Sequence, residues 1–165
     1  AEPTERQPLP DLRDPRFSLE RETLKLLVQY PESVESATAD VDADDFTHPT
    51  YRAVWEQIGA AGGPQAAPSG EGWLAKLQAG VTEESVGRAL SALAVEPVLK
   101  QPTPQYVAAH VARLRELTAM RRIGELKSRL QRTNPVEHAT EYNRMFGELV
   151  ALEQHRRALR ETAIG

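Results

Sequence analysis

The chain contains no cysteine. That excludes a disulfide framework, a thiolate zinc site, an iron–sulfur cluster and a cysteine nucleophile. Aromatic residues are few, with three Phe, four Tyr and two Trp among 165 residues, too sparse for a platform on which single-stranded nucleic acid stacks. No apolar run approaches the ~20 residues that cross a bilayer. The first residues are polar and proline-bearing and carry no signal-peptide pattern. These absences give the expectation of a cytoplasmic protein with no membrane contact, a setting in which thiols are not needed as staples. No segment alternates like a strand. There is no initiating Met, so the chain reads as a piece of a longer one.

What is present is charge, unevenly placed. The net charge is −4, yet residues 1–105 hold 9 Lys and Arg against 17 Asp and Glu, whereas residues 106–165 hold 11 against 7. Segregation of this kind suggests two functional parts. Residues 1–14, with Pro3, Pro8 and Pro10 among charges, have no face to bury and read as a flexible linker. Helix signals begin at Ser18, an N-cap residue type. Leu19, Thr23, Leu24, Leu26, Leu27 and Tyr30 form an inward stripe, and Pro31 ends it. A short helix is expected over 32–38. Pro49 opens another, with Tyr51, Val54, Trp55 and Ile58 inward. After a Gly, Pro and Ala-rich stretch from Gly59 to Gly72, short helices start at Trp73 and, capped by Thr82, before Val86. The longest pattern starts at Thr103-Pro104: Val107, Val111, Leu114, Leu117, Met120, Ile123, Leu126 and Leu130 recur at spacings of three and four. Asn134-Pro135 breaks it, and Asn134 with Glu137 forms a capping-box pattern for the last helix. The expectation is an all-α fold of about seven helices: an N-terminal helical bundle over 15–117, joined by a long helix to a C-terminal helical hairpin over 118–165.

The motifs of chemistry are missing. The run from Asp40 to Asp45 resembles the start of a calcium loop, but the turn glycine is replaced by Asp45 and the bidentate Glu by Tyr51; a solvated loop is expected. The Gly59–Gly72 stretch lacks the Lys-Ser or Lys-Thr of a phosphate loop. His48, His110, His138 and His155 have no second ligand at helical spacing, so structural or solvent roles are expected. No catalytic residue and no metal site emerge. Arg113, Arg115, Arg121, Arg122, Lys127, Arg129 and Arg132 run along the long helix. They read as a solvated face with pairs such as Glu125–Arg129, or alternatively as a surface for nucleic acid.

Two segments carry a resemblance. Glu22-Thr23-Leu24-Lys25-Leu26-Leu27-Val28-Gln29-Tyr30-Pro31-Glu32 and Phe46-Thr47-His48-Pro49-Thr50-Tyr51-Arg52-Ala53-Val54-Trp55 resemble the two signatures of the helicase-binding C-terminal domain of bacterial DnaG-type primase. The likeness extends over about Pro15 to Glu161. A related domain forms the N-terminus of the replicative helicase, and the arginine-rich long helix with its terminal hairpin favours primase. The resemblance implies a helical bundle and hairpin that dock on the N-terminal collar of the hexameric helicase. It also implies a site for the acidic, phenylalanine-ended C-terminal tail of single-stranded-DNA-binding protein. The zinc and magnesium of the parent primase belong to other domains, so no cofactor is expected in this fragment.

Two sets of residues are expected to serve those partners. Phe146, Val150, Leu159 and Ile164 do not all fit the seam of Tyr142, Met145, Leu149 and Leu152; beside Arg156, Arg157 and Arg160 they form a candidate helicase patch. Arg16, Arg21 and Lys25, with Leu24 for apolar surface and Lys100 nearby, form a candidate basic rim for the acidic tail. Little direct nucleic-acid binding is expected.

Overall fold

The computed structural model describes residues 9–164; residues 1–8, the first part of the expected linker, lie outside the described residues. The fold is all-α, with no strand among those residues. Seven α-helices follow in order: α1 Ser18–Gln29, α2 Pro31–Val34, α3 Pro49–Ala60, α4 Trp73–Ala79, α5 Glu84–Val95, α6 Pro104–Gln131 and α7 Ala139–Ile164.

Helix α1 is the axis of the bundle. Its Leu24, Leu26, Leu27 and Val28 are all buried, because α3, α5 and α6 pack around it on different sides. Tyr51, Val54 and Ile58 of α3, Leu77 of α4, Leu90 and Leu93 of α5, and Val107, Val111 and Leu114 of α6 complete the core. The Trp73 indole N–H donates to the Leu27 carbonyl at 3.1 Å, so the ring is buried with its polar group satisfied.

A helix buried on so many sides must satisfy its own polar side chains, and α1 does so by fastening its neighbours. The Glu20 carboxylate accepts from the Thr47 N–H at 2.8 Å, the Thr47 hydroxyl at 2.6 Å and the His48 N–H at 3.1 Å. It thereby holds the start of α3, where negative charge is favoured. Glu22 pairs with Lys25 at 2.6 Å and accepts from the Leu99 N–H at 2.7 Å, while Lys25 Nζ donates to the Pro97 carbonyl at 2.9 Å. Arg21 pairs with Glu96 and donates to the Tyr51 hydroxyl. Gln29 donates to the carbonyls of Leu93 and Glu96. The connector from α5 to α6 is therefore bound to α1 at several points.

Local start signals are used differently from expectation in three places. Ser18 is the first residue of α1 instead of its cap; a 3₁₀ turn, Pro15–Phe17, precedes it and is capped by Asp14. Thr82 does not cap α5, which starts after Glu83 without a side-chain cap. Asn134 caps a turn, its Oδ1 accepting from Val136 and Glu137, and α7 follows from Ala139. His48 does cap α3, with Nδ1 accepting from Thr50 at 3.0 Å. Its Nε2 bonds the Pro10 carbonyl at 2.7 Å, and Tyr51 donates to the Leu12 carbonyl at 2.6 Å. The bundle thus extends back to residues 10–12, inside the segment expected to be a linker, because two α3 side chains supply the partners that its backbone needs.

The acidic loop is a joint, where a solvated loop was expected. Asp45 is buried and accepts from the Thr118 hydroxyl of α6. Arg121 donates to the Asp44 carbonyl at 2.9 Å, and Arg122 pairs with Asp44 at 3.2 Å. Glu125 and Arg129 form no ion pair among the described residues. The bases of α6 instead reach across to the acidic loop, where Asp44 also pairs with Arg52 of α3, and this fixes the middle of α6 on the bundle.

Candidate docking surface

Helix α6 has two jobs, and its sequence divides between them. Val107, Val111 and Leu114 face the bundle. Ala112, Glu116, Ala119, Ile123, Leu126 and Leu130 recur at alternating spacings of four and three, the signature of a coiled-coil seam. On α7 the same alternation runs through Tyr142, Met145, Leu149, Leu152, Arg156, Leu159 and Ala163. Ala112, Ala119, Leu159 and Ala163 form one buried cluster where the hairpin meets the bundle. Small alanines at three of those four positions permit close approach there. Met145, 1% exposed, fills the seam toward the tip.

Two contacts show which flanks of the helices share a face. Lys127 of α6 pairs with Glu153 of α7 at 3.6 Å, and Arg113 donates to the Ala163 carbonyl at 3.3 Å. Along that flank of α6 the helical repeat places Arg113, Leu117, Met120, Gly124 and Lys127. Along that flank of α7 it places Phe146, Val150, Glu153, Arg157, Arg160 and Ile164. Leu117 is 40%, Met120 43%, Phe146 53%, Val150 44% and Ile164 75% exposed. Glu153, Arg156, Arg157 and Arg160 line a hollow of about 300 Å³ beside them. The opposite flank, with Arg115, Arg122 and His155, faces the Asp40–Asp45 loop. One side of the hairpin is thus fastened to the bundle, and the other offers apolar groups set among arginines.

The expected residues fall unequally on this face. Phe146, Val150, Arg157, Arg160 and Ile164 lie on it. Leu159 does not: it is 7% exposed and packs in the seam. Arg156 occupies a seam position and lies 3.9 Å from Glu116, itself a seam residue of α6. Leu117 and Met120 belong to the long spacing pattern of the sequence, yet both are exposed. That pattern overlays two faces, and these residues belong to neither. The missed signal is the break between the bundle-facing triplet and the seam heptad.

The residues expected to receive an acidic tail are mostly committed elsewhere. Leu24 is fully buried, Lys25 is neutralised by Glu22, and Arg21 by Glu96. The Arg21 guanidinium, donating to Glu96, holds that carboxyl below the usual range. Arg16 is exposed and pairs with Asp14 at 3.1 Å. Lys100 is exposed beside the half-buried Tyr106, its Nζ 5.8 Å from the ring centroid, next to the exposed Leu99 and near Val95. His110 is buried, its Nε2 within 3.1 Å of the Leu19 carbonyl and the Thr23 hydroxyl, and burial lowers its pKa. No group of acids and histidines able to hold a metal is found among the described residues, and no helix there is long and apolar enough to cross a membrane.

Residues 20–145 match the family model described as DNA primase DnaG DnaB-binding. The DNA primase of Mycobacterium tuberculosis is 41% identical over 165 residues, covering 99% of this chain and 26% of that protein. Those of Mycolicibacterium smegmatis and Streptomyces coelicolor are 38% and 33% identical, over 94% and 96% of this chain. The chain spans about a quarter of the length of these curated relatives. The solved helicase-binding domain of primase from Mycobacterium tuberculosis superposes with a TM-score of 0.70 at 39% identity, covering 88% of this chain and 91% of that one.

Proposed function

The chain belongs to the DNA primase DnaG DnaB-binding family, and from that premise we propose that it docks a primase on the replicative helicase through the outward face of its α6–α7 hairpin. The observation that carries this is the face itself: five exposed apolar side chains, Leu117, Met120, Phe146, Val150 and Ile164, among Arg113, Arg157 and Arg160. Apolar anchors with arginines around them are what protein interfaces are built from. The parent protein would be a DNA primase, synthesising RNA primers in the cytoplasm at the replication fork with domains outside this chain. Docking would act by tethering: it raises the local concentration of the polymerase beside freshly unwound template, without new chemistry in this domain. The test is the double variant Phe146→Asp/Val150→Asp of the whole chain against the helicase N-terminal domain. Loss of roughly 2 kcal/mol or more of binding, with unchanged melting, is expected for a hot-spot pair; unchanged affinity would move the contact to the bundle.

The acidic tail of single-stranded-DNA-binding protein is a second proposed partner. Lys100 of the expected set, exposed beside Leu99 and the half-buried Tyr106, supports it. Lys100→Glu should weaken the tail peptide, more so at low salt. A nucleic-acid role for the long helix is disfavoured because Arg121 and Arg122 are engaged by the acidic loop. A steep salt dependence of single-stranded DNA binding would reinstate it.

A further inference from the structure

Away from the hairpin, the N-termini of α3 and α5 converge on a pocket of about 400 Å³, closed on one side by the docked segment Leu9–Arg13. Its wall carries three guanidinium groups, those of Arg13, Arg21 and Arg88, and two hydroxyl residues, Thr50 and Ser85. Arg13 and Arg88 have no ion-pair partner among the described residues. Arg21 has one, Glu96, yet its buried Nε finds no hydrogen-bond acceptor. A buried donor without a partner is costly and calls for an explanation, which a ligand oxygen in this pocket would supply. The start of α5 adds to the positive character, because its first N–H groups have no side-chain cap; the start of α3 is already held by Glu20 and His48. Glu84 in the first turn of α5 is not part of the wall; Asp11 is, and it is the one acid there. Leu12, Ala89 and Ala92 supply the apolar part.

We propose that this pocket binds a phosphate monoester carried on a small apolar group. A lone carboxylate is satisfied by one arginine fork. Two free arginines, a third with an idle N–H, and uncapped amides at a helix start match the three oxygens and the near-double charge of a phosphate. The site is independent of the hairpin face, since no residue of α6 or α7 lines it.

The experiment is a titration of the whole chain, followed by amide and arginine Nε NMR signals, with inorganic phosphate, phenyl phosphate and benzoate at matched ionic strength. Saturable shifts at Ser85, Val86 and Arg88 are expected, with phenyl phosphate tightest. Arg13→Ala and Arg88→Ala change exposed side chains and leave the core intact; each should weaken phenyl phosphate roughly tenfold, as expected for loss of a charge-assisted contact. Arg157→Ala on the hairpin should titrate like the parent chain. Three results would overturn the assignment: benzoate binding as tightly as phenyl phosphate, inorganic phosphate matching phenyl phosphate, or affinities unaltered in Arg13→Ala and Arg88→Ala.

Discussion

The bundle and the hairpin use similar residues to opposite ends. In the bundle, α1 is enclosed, and its charged side chains are consumed internally: Glu20 by α3, Glu22 and Lys25 by each other and the α5–α6 connector, Arg21 by Glu96. In the hairpin, two long helices share one seam, so most of each circumference stays free. One flank is tied to the bundle by Thr118, Arg121 and Arg122. Among the described residues the other has nothing against it. The lesson concerns where a domain of this size can keep a partner surface. An apolar group on α1 is enclosed in the core, whereas Phe146 and Val150 on α7 stand exposed outside it.

The sharpest way to break this contrast is to remove one region. Deleting residues 134–165 should leave a bundle that still melts cooperatively, at lower temperature, because Ala112, Ala119 and Ile123 lose their cover. Helicase binding should vanish. Circular dichroism should lose helix in proportion to the deleted length. A non-cooperative melt would show that the two regions share one core. Single truncations should then separate the regions in kind. Leu27→Ala, fully buried in α1, should cost ~2–5 kcal/mol of stability by denaturant unfolding. Phe146→Ala should stay within about 0.5 kcal/mol, as surface changes do, while weakening helicase binding. A large stability loss at Phe146 would mean that its face is covered within the domain.

A pH scan sharpens the bundle side. Burial lowers the folded pKa of His110 below its unfolded value. The unfolded state therefore takes up the proton first as pH falls, and stability declines from about pH 6.5 downward. Glu96 adds a loss at more acidic pH, because its folded pKa is also depressed; that contribution holds above the unfolded value and disappears as pH falls through the folded one. His110→Gln should be less stable at neutral pH but flatter between pH 7.5 and 5.5. An equally steep profile in the variant would remove His110 as the cause.

The all-α class, the helix number and the two-part layout were legible because they rest on periodicity and on proline breaks. Pro31, Pro49 and Pro104 each open a helix, and Pro135 lies in the turn between α6 and α7. Polar partnerships were not legible. Nothing local to Asp45 announces Thr118, 73 positions away, and nothing local to Arg21 announces Glu96. For the same reason, Arg21, Leu24 and Lys25 looked available for a peptide although the fold engages them. On the hairpin, the exposure of Phe146, Val150 and Ile164 could be read from stripe width alone. Leu159 and Arg156 could not be placed, because the alternation through α7 tolerates an arginine in the seam only when α6 supplies an acid opposite.

That arginine offers the smallest and most specific test. Arg156 and Glu116 occupy seam positions on antiparallel helices, 3.9 Å apart and partly exposed. Solvent screening limits such a pair to ~0–1 kcal/mol. Its larger effect should be on register: a charged group in an apolar seam tolerates only the alignment that brings its partner opposite. Glu116→Leu and Arg156→Leu together should therefore leave stability nearly unchanged or raise it slightly, while each single change leaves one charge facing apolar neighbours and costs more than the double variant. Charge reversal, Glu116→Arg with Arg156→Glu, should restore the original alignment. Spin labels on exposed positions of α6 and α7 would read it as an unchanged distance distribution. In the double leucine variant the distribution should broaden toward slipped alignments. A single narrow distribution there would show that Met145 and the small alanines at the base fix the register without the ion pair.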